Sequence, residues 1–310
     1  MKKILRIISI LILLISASPE SDAQYNFAQN PFLKEENFFL TSYEKKVFED
    51  YLSGKPTNSI SLFLAINQNA SDESAKDIQG KVDQLHSLLA EKKHRHTTDL
   101  SFLYKIFTLI QTRHLVKYEK FTTLQSLLGD GTYDCLTATA LYGLTLKKFK
   151  YDIDIKETAC HSYLTVNIEG KKILFESTDR EDGFLNVQNE VKSRELKYAM
   201  QARPGDENLS GLSGDVSLKS GFATYSKSID IVQLAGLQYY NQGVAAHDNK
   251  MYRIAVRMLE KAYMIYPCKR VFTLLISSVH EVLRTPDITD KEIKRYSAKT
   301  KYYTMNSGDW

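Results

Sequence analysis

Between Tyr151 and Asp179 the apolar residues change period, and that change constrains the fold more than any other feature. "YDIDIKE", "HSYLTVNIEG" and "KKILFESTD" each alternate apolar and polar side chains, as half-buried strands do. Glu169-Gly170-Lys171 reads as the hairpin turn joining the last two. The stretches quoted below from either side have a helical period instead. Helices, then one long helix, then an antiparallel sheet make an α+β layout.

Upstream, "TSYEKKVFEDYLSG" opens on a Thr/Ser cap and stops at Gly54, with Tyr43, Val47, Phe48 and Tyr51 on one stripe. "SDESAKDIQGKVDQLHSLLAEKK" has acids in its first turn and lysines in its last, matching the helix dipole. "DLSFLYKIFTLIQTRHLV" carries Leu100, Phe102, Leu103, Ile106, Phe107, Leu109 and Ile110, so it is apolar on more than one face and predicted to be buried. Residues 204–228 are rich in Gly, Ser, Asp and Asn and read as a linker or loop with at most one short strand. Beyond them Gly243, Ala255, Ala262 and Pro267 sit at the spacing of the small residues and closing proline of a tetratricopeptide repeat. Tyr239 takes its aromatic position, although Gln242 replaces the usual leucine. Residues 236–269 thus resemble one repeat and 270–303 a degenerate second; a generic helical cap is the alternative.

The N-terminus has the features of a secretory signal. Lys2, Lys3 and Arg6 precede the apolar run Ile7–Ile15, and Ser21-Asp22-Ala23 places small residues before Gln24. The expected organisation is a signal peptide at 1–23, a helical subdomain plus core at 24–203, the linker or loop at 204–228 and a helical tail at 229–310. An uncleaved anchor is the alternative. A cleaved product is expected to be exported, to a periplasm or the medium. The formal charge of +4 gives no electrostatic case for nucleic acid or a membrane surface. No later apolar run approaches spanning length, so no membrane association is expected after cleavage.

The chain has only three cysteines, an odd number that does not make a disulfide scaffold. Cys135 lies in "GDGTYDCLTATALYGLTLKKFK", where Gly129 and Gly131 break one helix and Asp134 can cap the next. The thiol then falls in a first helical turn, with Leu136, Ala140, Leu141 and Leu144 packing one face. A helix N-terminus favours a thiolate, while the Asp134 charge works partly against it. Inert packing is the plain alternative. Downstream, His161 opens an alternating strand and the next strand ends at Glu176 and Asp179. Cysteine, histidine and acid thus follow one another in a nucleophile, base and orienter order.

Those residues carry a resemblance. From about 98 to 185 the chain resembles the transglutaminase-like superfamily, a branch of the papain-like cysteine enzymes. Cys135 stands at a helix head, "HSY" at 161–163 matches histidine-small-aromatic, and "EST" at 176–178 matches D-x-T. Glu176 replaces the family's aspartate, and Tyr163 replaces its usual tryptophan. Motif alignment favours Glu176 over Asp179 as the acid; residue type keeps Asp179 in view.

The resemblance implies that Cys135 attacks an amide carbonyl. His161 takes the thiol proton and later returns it to the leaving amine, and the acid orients His161. The Cys135 amide would supply half of an oxyanion hole, with Tyr133, Tyr142 and Gln125 as candidates for the other half. Water resolves the thioester in a protease or amidase, an amine in a transglutaminase, and hydrolysis is the preferred expectation. The substrate would be a peptide or protein, with no cofactor and no metal. The rival is a fold that has lost turnover and binds a protein partner through its helical tail.

Other features weigh less. His94 and His96 sit in a cationic helix end and read as solvated surface. Cys160-His161 has no second pair at metal-ligand spacing. The 19 tyrosines and 14 phenylalanines are scattered, as core packing requires.

Overall fold

The structure, a computed structural model, describes residues 30–199 and 226–307. The expected signal peptide and most of the expected linker lie outside the described residues. After a short 3-10 helix at Pro31–Lys34 come four α-helices: α1 (Ser42–Leu52), α2 (Ser59–Ala65), α3 (Asp72–Lys93) and α4 (Asp99–Arg113). Each starts where Thr41, Asn58, Ser71 or Thr98 accepts a backbone N–H from the first turn. Of the expected α1 stripe, Tyr43, Val47 and Phe48 are buried and Tyr51 is partly covered against the core. In α4 Phe102, Leu103, Ile106, Phe107, Leu109 and Ile110 enter the core, but Leu100, in the first turn, stays 39% exposed.

Two short strands, β1 (Lys117–Tyr118) and β2 (Thr132–Tyr133), pair in parallel around α5 (Leu124–Asp130). Gly129 lies inside α5, so only Gly131 ends it. Its φ is +81°, and a Cβ there would fall 2.4 Å from Val116 Cγ2. The long helix α6 (Cys135–Lys148) follows at once. It is buried almost all round rather than on one face, because α4, β3, β4 and α8 each pack against it. Leu144, expected in the buried face, is only partly covered.

The strands β3 (Asp152–Thr158), β4 (Ser162–Ile168), β5 (Lys171–Phe175) and β6 (Phe184–Leu185) precede α7 (Gln188–Ala199) and β7 (Ser226–Ile229). They form one antiparallel sheet of order β6-β5-β4-β3-β7. The β4–β5 turn is the expected one: Glu169 and Gly170 adopt φ of 49° and 76°, as a two-residue hairpin requires. One sheet face, with Ile155, Leu164, Val166, Ile173 and Phe175, joins the main core. The other face presents Tyr163 and Leu174 to Val191 and Tyr198 of α7. Strand β7 falls where the linker was expected to hold at most one short strand.

The tail consists of α8 (Ile231–Asp248), α9 (Tyr252–Ile265), α10 (Lys269–Leu283) and α11 (Asp290–Met305), each packed on the next. The small residues mark a close crossing, since a Cβ on Gly243 would sit 2.6 Å from Leu259 Cγ. The tail shares the main core with the N-terminal helices. Gln238 Nε2 donates to the Phe63 carbonyl at 2.7 Å, and its Oε1 accepts from the Leu124 amide at 2.9 Å. Deeper still, Lys261 and Glu44 form an ion pair with both side chains fully buried. Among the described residues no helix is long and apolar enough to cross a membrane.

Candidate active site

Cys135 is the first residue of α6, behind the N-cap Asp134. The cap is a closed box: Asp134 accepts from the Thr137 amide at 2.8 Å, and the Asp134 amide donates to Thr137 Oγ1 at 3.0 Å. Burial pushes the Asp134 carboxyl up to about 6, against the hydrogen bonds that hold it charged. The Cys135 side chain itself is partly exposed.

His161 sits in the turn between β3 and β4, one residue before the strand expected to start with it. Thr158 fixes that turn: its amide donates to the His161 carbonyl at 2.8 Å, and its hydroxyl accepts from the His161 amide at 3.1 Å. The imidazole Nε2 bonds Glu176 Oε2. The Cys135 thiol also acts on the imidazole, by hydrogen bonding and by charge. Burial opposes a charge on His161, yet hydrogen bonding and charge from Cys135 and Glu176 outweigh it and raise the pKa to about 10.

Glu176 follows β5 directly and is completely buried. Its second oxygen accepts from the Thr178 amide at 2.8 Å and the Thr178 hydroxyl at 2.6 Å. Burial would favour its neutral form, but His161 and Thr178 together hold its pKa below the ordinary value. Gln111 of α4 steadies the neighbouring backbone by donating to the Ser177 carbonyl at 3.1 Å.

Asp179 does not compete for the histidine. Its carboxylate pairs with Arg194 of α7 at 2.8 Å and accepts from the Asp182 amide at 2.9 Å. A three-residue step past Glu176 carries it into the following turn. Two expected oxyanion donors also lie elsewhere. Tyr142 is in the core with its hydroxyl given to the Phe107 carbonyl at 3.1 Å. Gln125 lines a groove with Asp77, Lys81 and Asp130 that includes none of Cys135, His161 and Glu176. Tyr133 remains beside the site, buried, its ring edge-on to Tyr118 at 5.6 Å.

No protein-family model, curated protein or solved structure matches the chain. The chemistry of the site is therefore read from its geometry alone.

Two residues there have no signal in the sequence. Tyr118 is 47% exposed; burial first, then the charges of Cys135 and Asp134, push its phenol pKa up. It reaches the site only because β1 pairs with β2 one step before α6. Tyr198 of α7 packs against the imidazole at a tilt of 47°, with ring centroids 4.8 Å apart. Burial, then the Glu176 charge, pushes its phenol up to about 12. Of the weaker candidates, His94 is exposed and His96 Nδ1 lies 3.3 Å from Ser101 Oγ. Among the described residues no three His, Cys, Asp or Glu side chains are grouped to hold a metal ion.

Thiol, imidazole and carboxylate stand in series, with the carboxylate saturated on its far side. Such a series can hold the imidazole in one orientation, pass it the thiol proton and stabilise its charged form.

Proposed function

We propose that this chain is an exported cysteine-dependent acyl-transfer enzyme with a papain-like, transglutaminase-like core, hydrolysing an amide in a peptide or protein substrate. The observation that carries the reading is the Cys135–His161–Glu176 series. His161 takes the Cys135 proton and the thiolate attacks the carbonyl carbon. The tetrahedral intermediate collapses to a thioester as His161 gives that proton to the leaving amine. Water then attacks, His161 takes its proton, and the acid leaves as the thiol is restored. The Cys135 amide and the half-exposed Tyr118 hydroxyl are the donors for the oxyanion in each half. Partial exposure of Cys135 admits water to the thioester, which favours hydrolysis over transfer to an amine.

One observation favours the rival reading, an inactive fold that binds a protein partner through its helical tail. Asp134 is buried directly before Cys135 and sets a negative charge beside the nucleophile near neutral pH. The two readings part on acylation. With p-nitrophenyl acetate as acyl donor, the enzyme reading expects acetyl transfer to Cys135, seen by mass spectrometry, and turnover in water that a primary amine diverts to its amide. No acetyl adduct on Cys135 would leave the interaction reading.

A further inference from the structure

His161 belongs to no strand, so its position depends on what holds the turn Thr158–His161. A β-hairpin turn at a sheet end is ordinarily among the more mobile parts of a protein. Here it meets the tail. Arg270, at the start of α10, donates to the Thr158 carbonyl at 3.3 Å and the Ala159 carbonyl at 3.4 Å. The same guanidinium pairs with Glu157, the residue before the turn, whose carboxylate is 1% exposed. Glu157 in turn accepts from the Tyr266 hydroxyl at 2.6 Å. The guanidinium carbon lies 4.6 Å over the Tyr240 ring of α8, which fixes the plane of the fork.

We propose that Arg270 is a positioning residue for His161, acting through the Thr158–His161 turn, so that the helical tail forms part of the reactive site. This rests on the reading of His161 as the base for Cys135. The planar fork of Arg270 suits this role, because it spans a carboxylate and two carbonyls at once while stacking on a ring. A lysine could keep the Glu157 charge pair but not that span. Were Arg270 only a clamp between α10 and the sheet, its donors would have no need to reach the turn carbonyls. The opposite end of the imidazole is held by Glu176 and Tyr198, so the turn and these two groups fix it from separate directions.

The test uses the full chain and compares Arg270→Gln and Arg270→Lys with Arg253→Gln. Arg253 supplies a control, because its pair with Glu292 at 2.8 Å joins α9 to α11 without touching the turn. Two quantities are read: the rate of Cys135 carboxamidomethylation by iodoacetamide, and the His161 titration midpoint from ring NMR shifts. Arg270→Gln should slow Cys135 labelling roughly 10-fold, the scale of a sub-ångström misplacement, and move the His161 midpoint toward its ordinary value. Arg270→Lys should fall between that variant and the wild type, and Arg253→Gln should change neither quantity. Wild-type values of both in folded Arg270→Gln would overturn the proposal; if that variant does not fold, wild-type values in Arg270→Lys would do the same. Failure of the base reading looks different: wild-type Cys135 would label no faster than Cys160 and Cys268, while the His161 titration would still report on positioning.

Discussion

The Glu176 carboxylate meets His161 Nε2 with one oxygen and is saturated by Thr178 on the other, 2.6 Å from the hydroxyl. It is completely buried, so its charge is held by these partners rather than by water. Glu176→Gln keeps the shape and removes the charge. It should lower stability by about 1–3 kcal/mol, the cost of losing a charged hydrogen bond in the interior. Urea denaturation measures this, and an unchanged midpoint would contradict the assignment.

The same pair sets a pH window. The His161 pKa rises from 6.5 to about 10 on folding, so its contribution is whole below 6.5 and fades as pH climbs through 10. Glu176 is lowered from 4.5, so its contribution is whole above 4.5 and is lost as pH falls through the folded value. The stability difference between wild type and Glu176→Gln should therefore be largest between pH 4.5 and 6.5 and shrink on both sides. Thermal unfolding across pH 3–10.5 would show this, and a difference that grows above pH 8 would have the wrong sign.

Asp134 titrates in the opposite sense. Burial raises it from 3.8 to about 6, so the folded state holds the proton more tightly and stability falls as pH rises through that interval. Asp134→Asn keeps an acceptor for the Thr137 amide and removes the charge beside Cys135. It should abolish that decline and speed Cys135 alkylation near neutral pH. Asp134→Ala should instead cost about 1 kcal/mol, through loss of the cap. Equal behaviour of the two variants would contradict this division of roles.

Tyr118→Phe separates reactivity from turnover. The ring packs on Tyr133 either way, and the half-exposed hydroxyl has no core to disturb. Removing one oxyanion donor should slow nitrophenolate release from p-nitrophenyl acetate about 100-fold, while iodoacetamide labelling of Cys135 keeps its rate. Equal losses in both assays would make Tyr118 a structural support instead.

The buried Glu44–Lys261 pair fixes the tail to α1, with the Tyr239 hydroxyl as third member at 3.0 Å. Lys261→Met leaves a buried carboxylate without its cation and should cost about 3–5 kcal/mol, read by denaturant unfolding. A loss under about 1 kcal/mol would mean the pair is solvated.

Local signals carried most of the architecture. The period change at Tyr151, the Glu169-Gly170 turn and the Asp134 cap each depend on neighbouring residues, so the sequence alone is enough to read them. Motif alignment favours Glu176 over Asp179, whereas the strand pattern leaves both at a strand end; only the structure shows that β5 stops at Phe175 and that Asp179 turns to Arg194. What escaped depends on distance in the chain. Helix α7 is short and strongly polar, with Val191 and Tyr198 as its buried residues, and so shows little apolar period. Tyr118 and Arg270 come near the site only through pairings the sequence does not announce, β1 with β2 and α10 with the β3–β4 turn. Tyr142 was misplaced for a related reason: α6 is buried all round, so nothing in its pattern tells an inward tyrosine from one facing the thiol.

In the proposed enzyme Cys135 reacts as part of a series with His161 and Glu176. The most direct measurement is the iodoacetamide labelling rate of Cys135, Cys160 and Cys268 near pH 7, resolved by peptide mass spectrometry in wild type and His161→Ala. The series predicts that Cys135 labels fastest, ahead of the exposed Cys160 and the buried Cys268, and that His161→Ala removes this preference. Slow, equal labelling of all three, or a Cys135 rate indifferent to His161, would contradict it.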